Sequence, residues 1–241
     1  MKILGIDSSG LVASAAVVSD GQLLAEYSVN YKKTHSQTLL PMIDEIVSMI
    51  ELDLDTIDAI AVAAGPGSFT GLRIGSATAK GLGMALNKPL IEIPTLEGLA
   101  YNLCPSKALV CPMMDARRNQ VYTGIYRFQG TTLEVVEGQM AVSVTEVIEK
   151  LNALGKEVLL LGDGIPVYQK FIEESLKVPY LIVPAQNSRQ RAGSVAALGL
   201  QYAKEGKMVS AAEHQPDYLR LSQAERELAE KKEREACSQK N

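Results

Sequence analysis

The chain has no tryptophan and only two histidines, His35 and His214, among its 241 residues. That scarcity excludes most histidine-rich metal centres and makes a His-Glu-x-x-His metalloprotease helix impossible. Cysteine is scarce as well. Cys104, Cys111 and Cys237 are odd in number and match no zinc-ligand spacing, so reduced thiols of a cytoplasmic protein are expected and no metal site. No apolar run approaches the roughly 18 residues of a membrane span, and Met1 to Asp7 reads as a strand rather than a signal peptide. An excess of positive charge is also missing. A net charge of −4 argues against a chain that neutralises many phosphates alone, so any role on nucleic acid requires a partner.

What is present reads as two similar halves. Residues 2–8, 11–18 and 22–30 are expected strands, the last two joined by the hairpin signal Asp20-Gly21. A helix follows from Thr34, with Gln37 at capping-box spacing and Leu39, Ile43, Ile46, Val47 and Ile50 on its apolar face. Strand 59–64 breaks at Gly65-Pro66-Gly67 and gives way to a helix over 68–86 with Ser68 as cap. A strand at 90–93 and a helix at 95–103 complete the half. After Pro105-Ser106 come strands 107–114, 120–128 and 131–137, helix 143–154 capped by Ser143 with Glu146, strand 156–161, helix 165–176, strand 180–183 and helix 189–204. Each half therefore spells βββαβαβα, which divides the chain into 1–104, 105–215 and a segment 216–241. In the last, residues 225–235 are almost wholly charged and are expected as a solvated helix, with pairs such as Glu227 and Lys231. The doubled order resembles the α/β plan of the actin, sugar-kinase and Hsp70 ATPase (ASKHA) fold, two domains about a cleft.

Helix 68–86 carries Gly71, Gly75, Ala79 and Gly83 at a spacing of four, one stripe on one face. A glycine in a helix interior costs about 1 kcal/mol against alanine, so the stripe implies a close backbone approach. Packing within the chain is the commoner cause; a surface for a second chain is the other.

Catalytically active members of the fold hold phosphates on glycine-containing turns. The turns available are Asp7-Ser8-Ser9-Gly10 and Asp115-Ala116-Arg117-Arg118. Ser9 stands where glycine would admit a phosphate to the backbone, and Asp7 either meets a metal or caps its own turn. The candidate set for weak ATP, ADP or anion contacts is Asp7, Ser8, Ser9, Gly67, Ser68, Asp115, Arg117, Arg118, Gly162, Asp163 and Gly164. Gly65–Gly71 is one residue too long for the dinucleotide fingerprint, and no lysine follows it as in a P-loop. His35 opens a helix and is either a base or an ordinary first-turn residue. No Ser/His/Asp set is placed together by the sequence, and no catalytic residue is assigned. An active small-molecule kinase is the alternative reading.

Ile3-Leu4-Gly5-Ile6-Asp7-Ser8-Ser9, the stretches 34–43, 65–75 and 112–122, Gly162-Asp163-Gly164, 191–199 and 216–220 occur in an order that resembles the TsaB family over residues 3 to about 220. The blocks GPGSFTGLRIG and MDARR carry most of this resemblance. It implies an actin-like fold and a non-catalytic subunit that pairs with the TsaD/Kae1-type transferase. With a TsaE-like ATPase, that pair places threonylcarbamoyl on the adenosine beside the tRNA anticodon. tRNA would then be met only through the complex, and self-pairing is expected when TsaD is absent. The resemblance assigns helices 34–50 and 68–86 to the partner surface, with His35, Leu39, Gly71, Leu72, Gly75, Ala79 and Gly83 as its residues. TsaD-like chains carry a His-x-x-x-His metal pair after the glycine-loop helix. Ile91 to Gly98, the matching region here, has no histidine, so neither metal nor peptidase chemistry is expected.

Overall fold

A computed structural model describes residues 1–31 and 34–219. The charged stretch 225–235 lies outside the described residues. The element order is the expected one, twice over. The first half contains β1 (Lys2–Asp7), β2 (Val12–Ser19), β3 (Gln22–Asn30), α1 (His35–Met49), β4 (Ala59–Gly65), α2 (Phe69–Leu86), β5 (Leu90–Pro94) and α3 (Thr95–Ala100). The second contains β6 (Leu109–Asp115), β7 (Gln120–Gln129), β8 (Thr132–Ser143), α4 (Val144–Leu154), β9 (Val158–Leu161), α5 (Gly164–Ser175), β10 (Tyr180–Ile182) and α6 (Ala192–Lys204).

The strands form two five-stranded sheets, ordered β3-β2-β1-β4-β5 and β10-β9-β6-β7-β8. In each, the central strand pairs antiparallel with its hairpin neighbour and parallel with the next crossover strand. The strands buried on both faces, β1 and β4, are nearly continuous apolar runs, as that position requires. Two of the expected caps form: the Ser68 and Ser143 hydroxyls accept from Gly71 N and Glu146 N. The capping box at Thr34 does not form. Gln37 N donates to the Thr34 carbonyl instead, and the Thr34 side chain makes no cap bond.

On one face of the first sheet, α1 and α2 cover Leu4, Ile6, Ala15, Val17, Ile60 and Val62. The other face is covered by α6, from the far end of the sequence. Its Ala192 and Ala196 lie against Gly5, and Gly199 against Ala61. In exchange α3 packs on β6 and β7 of the second sheet. A single core thus joins Ile3, Ala61 and Ile93 to Val110, Met114 and Tyr126 through α3 and α6. The division at 104/105 marks the repeat in sequence. In space α6 and residues 209–217 sit with the first half, because their apolar faces match β1, β4 and β5. Among the described residues no helix is long and apolar enough to cross a membrane.

Candidate functional site

The two hairpin turns at the ends of β1 and β6 face one another across a cleft of about 580 Å³. Its lining includes Ser9 and Gly10 from the first turn, Gly67 and Ser68 at the start of α2, and Asp115 and Arg117 from the second turn. Asp163 lies on the second-half side, and Asp217, Tyr218 and Leu219 close the cleft from the C-terminal segment.

The first turn is bonded to itself. Asp7 Oδ1 accepts from Ser9 N at 2.9 Å and from Ser9 Oγ at 2.7 Å, an Asx turn. Burial raises the Asp7 carboxyl to about 6; the two Ser9 bonds and nearby His35 pull the other way. The turn is also bonded to α2. Ser8 Oγ donates to Gly71 O at 2.8 Å, and Ser68 N donates to Ser9 O at 2.6 Å. The backbone donors Ser9 N, Ser68 N and Gly71 N, which a phosphate would need in this corner, all have internal acceptors. His35 Nε2 bonds Gly10 O at 2.9 Å, so it braces the turn rather than facing outward.

The second turn repeats the device. Arg117 N donates to Asp115 Oδ1 at 2.9 Å, and Asp115 N donates to Asp163 Oδ1 at 3.1 Å. Burial raises the Asp163 carboxyl, against the Asp115 amide and Arg189, which lower it. Arg117, Arg118 and Asn119 are all left-handed, with φ of 63°, 55° and 58°. Such backbone costs a non-glycine residue roughly 1–2 kcal/mol. The two arginines give no sequence signal for it. Of the candidate anion set, Ser9, Gly67, Ser68, Asp115, Arg117 and Asp163 meet at the cleft. Asp7 and Ser8 are buried behind it, Arg118 is exposed away from its lining, and Gly162 and Gly164 are used for close approach to Met113 O.

The small-residue stripe faces inward, and this corrects its expected place on a partner surface. A Cβ on Gly71 would overlap Ser8 O, and one on Gly75 would stand 2.5 Å from Ser8 Oγ. One on Gly83 would stand 3.0 Å from Ala211 Cβ and from Leu90 Cδ2. The close approach that the glycines implied is real, but it is made by the β1–β2 turn and the C-terminal segment of the same chain. Leu39 and Ala79, also expected at a partner surface, are buried in the core, because their side of each helix is the one laid on the sheet, and Leu72 is buried at the cleft beside Gly65.

The solvent side of these helices is different in composition. On α1, Leu40 and Met49 are 55% and 76% exposed; on α2, Met84 is 68% exposed. Ala77 and Gly81 are exposed on the same helix, and a Cβ on Gly81 would have nothing within 4 Å.

A second correction concerns Ser, His and acid. His214 Nε2 lies 2.9 Å from Ser76 Oγ, and His214 Nδ1 lies 2.7 Å from Glu92 Oε1. The sequence separations of 138 and 122 residues hid this set. Ser76 and His214 are buried, Glu92 is partly exposed and none of the three lines the cleft, so the set joins α2, β5 and the C-terminal segment away from it. Among the described residues no group of three or more His, Cys, Asp or Glu is placed to hold a metal ion.

A family model described as TsaD, tRNA N6-adenosine threonylcarbamoyltransferase, matches residues 22–228. The chain is 35% identical to the tRNA threonylcarbamoyladenosine biosynthesis protein TsaB of Bacillus subtilis, covering 93% of this chain and 96% of the relative. It is 30% identical to the protein of the same name from Escherichia coli, over 95% and 98%. The solved structure of YeaZ from Pseudomonas aeruginosa superposes with a TM-score of 0.79 at 26% identity, covering 90% of this chain and 99% of that one.

Proposed function

This chain belongs to the TsaB family, and on that premise we propose that it is the non-catalytic partner subunit of a TsaD-like transferase. In that role it supports formation of threonylcarbamoyladenosine in tRNA. The observation that carries the reading is the pairing of a self-satisfied phosphate corner with an apolar outer helix face. Donors that a kinase of this fold would offer to a nucleotide bond Asp7, Ser9 and Ser68 instead. Exposed Ala77, Gly81 and Met84 share one side of α2 and give it a small apolar face that a second helix can approach closely, while α1 adds exposed Leu40 and Met49 among polar Gln37, Asp44, Glu45 and Ser48. The partner surface therefore stays on α1 and α2 but moves to their opposite sides. An isologous homodimer through the same face forms when the transferase is absent. A TsaE-like ATPase joins the complex, and tRNA is met only within it.

Reconstitution tests the role. A TsaD-like protein, a TsaE-like ATPase, threonylcarbamoyl-adenylate and tRNA should yield modified adenosine only when this chain is added. Product formed equally well without it would sink the proposal. The cleft itself is proposed to bind ATP or ADP weakly at most. Calorimetry of the isolated chain with ATP–Mg should give a Kd of about 1 mM or weaker, the range of a site worth roughly 4 kcal/mol. Micromolar binding with phosphoryl transfer would favour the kinase alternative.

A further inference from the structure

We propose that residues 209–219 form a strap that supplies one wall of the cleft, and that Ser76, His214 and Glu92 are the clamp that holds it there. The strap has one ladder-type anchor, the reciprocal 2.9 Å bonds between Val209 and Leu90. Beyond it the chain has no helix or strand up to Leu219. It is kept in place by particular contacts. Ala211 rests on Gly83, and Lys80 Nζ donates to Ala212 O and His214 O at 3.0 Å each. His214, 1% exposed, sits between Ser76 and Glu92. Asp217 N donates to Ala64 O at 2.7 Å, and the Asp217 carbonyl occupies the space where a Cβ on Gly65 would stand. Tyr218 then lies on Phe69, ring centroids 4.7 Å apart, and its hydroxyl accepts from Arg73 Nε at 3.4 Å.

This arrangement differs from the rest of the cleft. Asp115 ends a strand and Asp163 immediately precedes a helix, whereas Asp217 and Tyr218 lie in a segment with no helix or strand. They are held by one backbone bond to Ala64, the contacts of Tyr218 with Phe69 and Arg73, and the side-chain bonds around His214. Segments held this way open at lower free energy than a sheet does. His214 bonds through both ring nitrogens. The Glu92 carboxylate accepts from Nδ1, and the Ser76 hydroxyl is able to donate to Nε2 or accept from it. Both bonds therefore survive either protonation state of the ring. The carboxylate also accepts from Gln215 N at 3.2 Å, so one side chain ties two consecutive strap residues.

Hydrogen exchange of the full chain, read by mass spectrometry, tests the clamp. In the unmodified protein the peptide containing Asp217 should be protected. His214→Gln should raise its exchange roughly tenfold or more, the effect of a lost buried hydrogen-bond set, while peptides from β1 and β4 keep their protection. Glu92→Gln, which preserves an acceptor for His214, should retain most of the strap's protection, and Glu92→Leu should not. Should His214→Gln fail to fold, Ser76→Ala removes one bond at a small site and should give the same local pattern more weakly. Unchanged exchange at 209–219 in these variants, or an equal rise across the whole protein, would overturn the proposal. The outcome is independent of whether a transferase binds α1 and α2.

Discussion

Replacing Gly75 with leucine is expected to destabilise the native chain itself, by about 1–3 kcal/mol, rather than spare the fold and weaken only its pairing. The new Cβ would stand 2.5 Å from Ser8 Oγ and 3.8 Å from Ser8 Cβ, with Val62 Cγ2 at 3.9 Å. The rest of the leucine side chain must be accommodated beside these same atoms. Overpacking of this kind costs roughly 1–3 kcal/mol, and displacing Ser8 breaks its bond to Gly71 O, worth about 1 kcal/mol more. The gain in helix propensity returns about 1 kcal/mol at most. Gly71→Ala is a sharper case despite its smaller side chain. Its methyl meets the Ser8 carbonyl oxygen, a backbone atom with no rotamer to change. Urea unfolding checks both. A Gly75→Leu protein as stable as the parent would mean that the inner stripe has room to spare and is open to a partner after all.

Asp7→Asn is expected to act in the other direction and make the chain more stable at neutral pH. The native carboxyl is raised from 3.8 to about 6 by burial. The folded state therefore holds a proton that the unfolded chain has lost, throughout the interval between those values. Stability falls as pH rises through that window and levels off above about 6. At about 1.4 kcal/mol per pH unit, the penalty carried at pH 7 is on the order of 3 kcal/mol. Asparagine keeps an oxygen for Ser9 N and Ser9 Oγ and removes the charge. Unfolding at pH 4 and pH 7 should show a gain of about 1–3 kcal/mol at pH 7 and little at pH 4. Loss of stability at pH 7 would show that the fold depends on the carboxylate charge in this corner.

Much of the architecture is written locally. The apolar runs of β1 and β4, the hairpin at Asp20-Gly21 and the serine caps of α2 and α4 are short-range signals, and they place the elements where the structure has them. What the sequence does not carry is which surface meets which. Helical periodicity makes one face of α6 apolar without saying that it crosses to the first sheet. A spacing of four marks Gly71, Gly75 and Gly83 for close approach, and says nothing of the approaching atoms. Ser8 O and Ala211 supply them from 63 and 128 positions away. The same distance in sequence conceals the Ser76–His214–Glu92 contact. The left-handed turn at Arg117–Asn119 is silent for another reason: arginine is a residue that ordinary turn chemistry keeps out of that conformation.

The central claim is that the solvent side of α1 and α2 is the surface for a transferase partner. Light scattering of the full chain mixed with a TsaD-like protein tests it, with Gly81→Arg as the diagnostic variant. Gly81 has open space around its missing side chain, and arginine is a good helix former, so this variant should be as stable as the parent or slightly more so. It also puts a long charged side chain on the side of α2 that Ala77 and Met84 share. The account predicts a defined heterodimer with the unmodified chain and an affinity loss of roughly 30-fold or more for Gly81→Arg, about 2 kcal/mol of binding free energy. A folded Gly81→Arg protein that forms the heterodimer as tightly as the parent would contradict it.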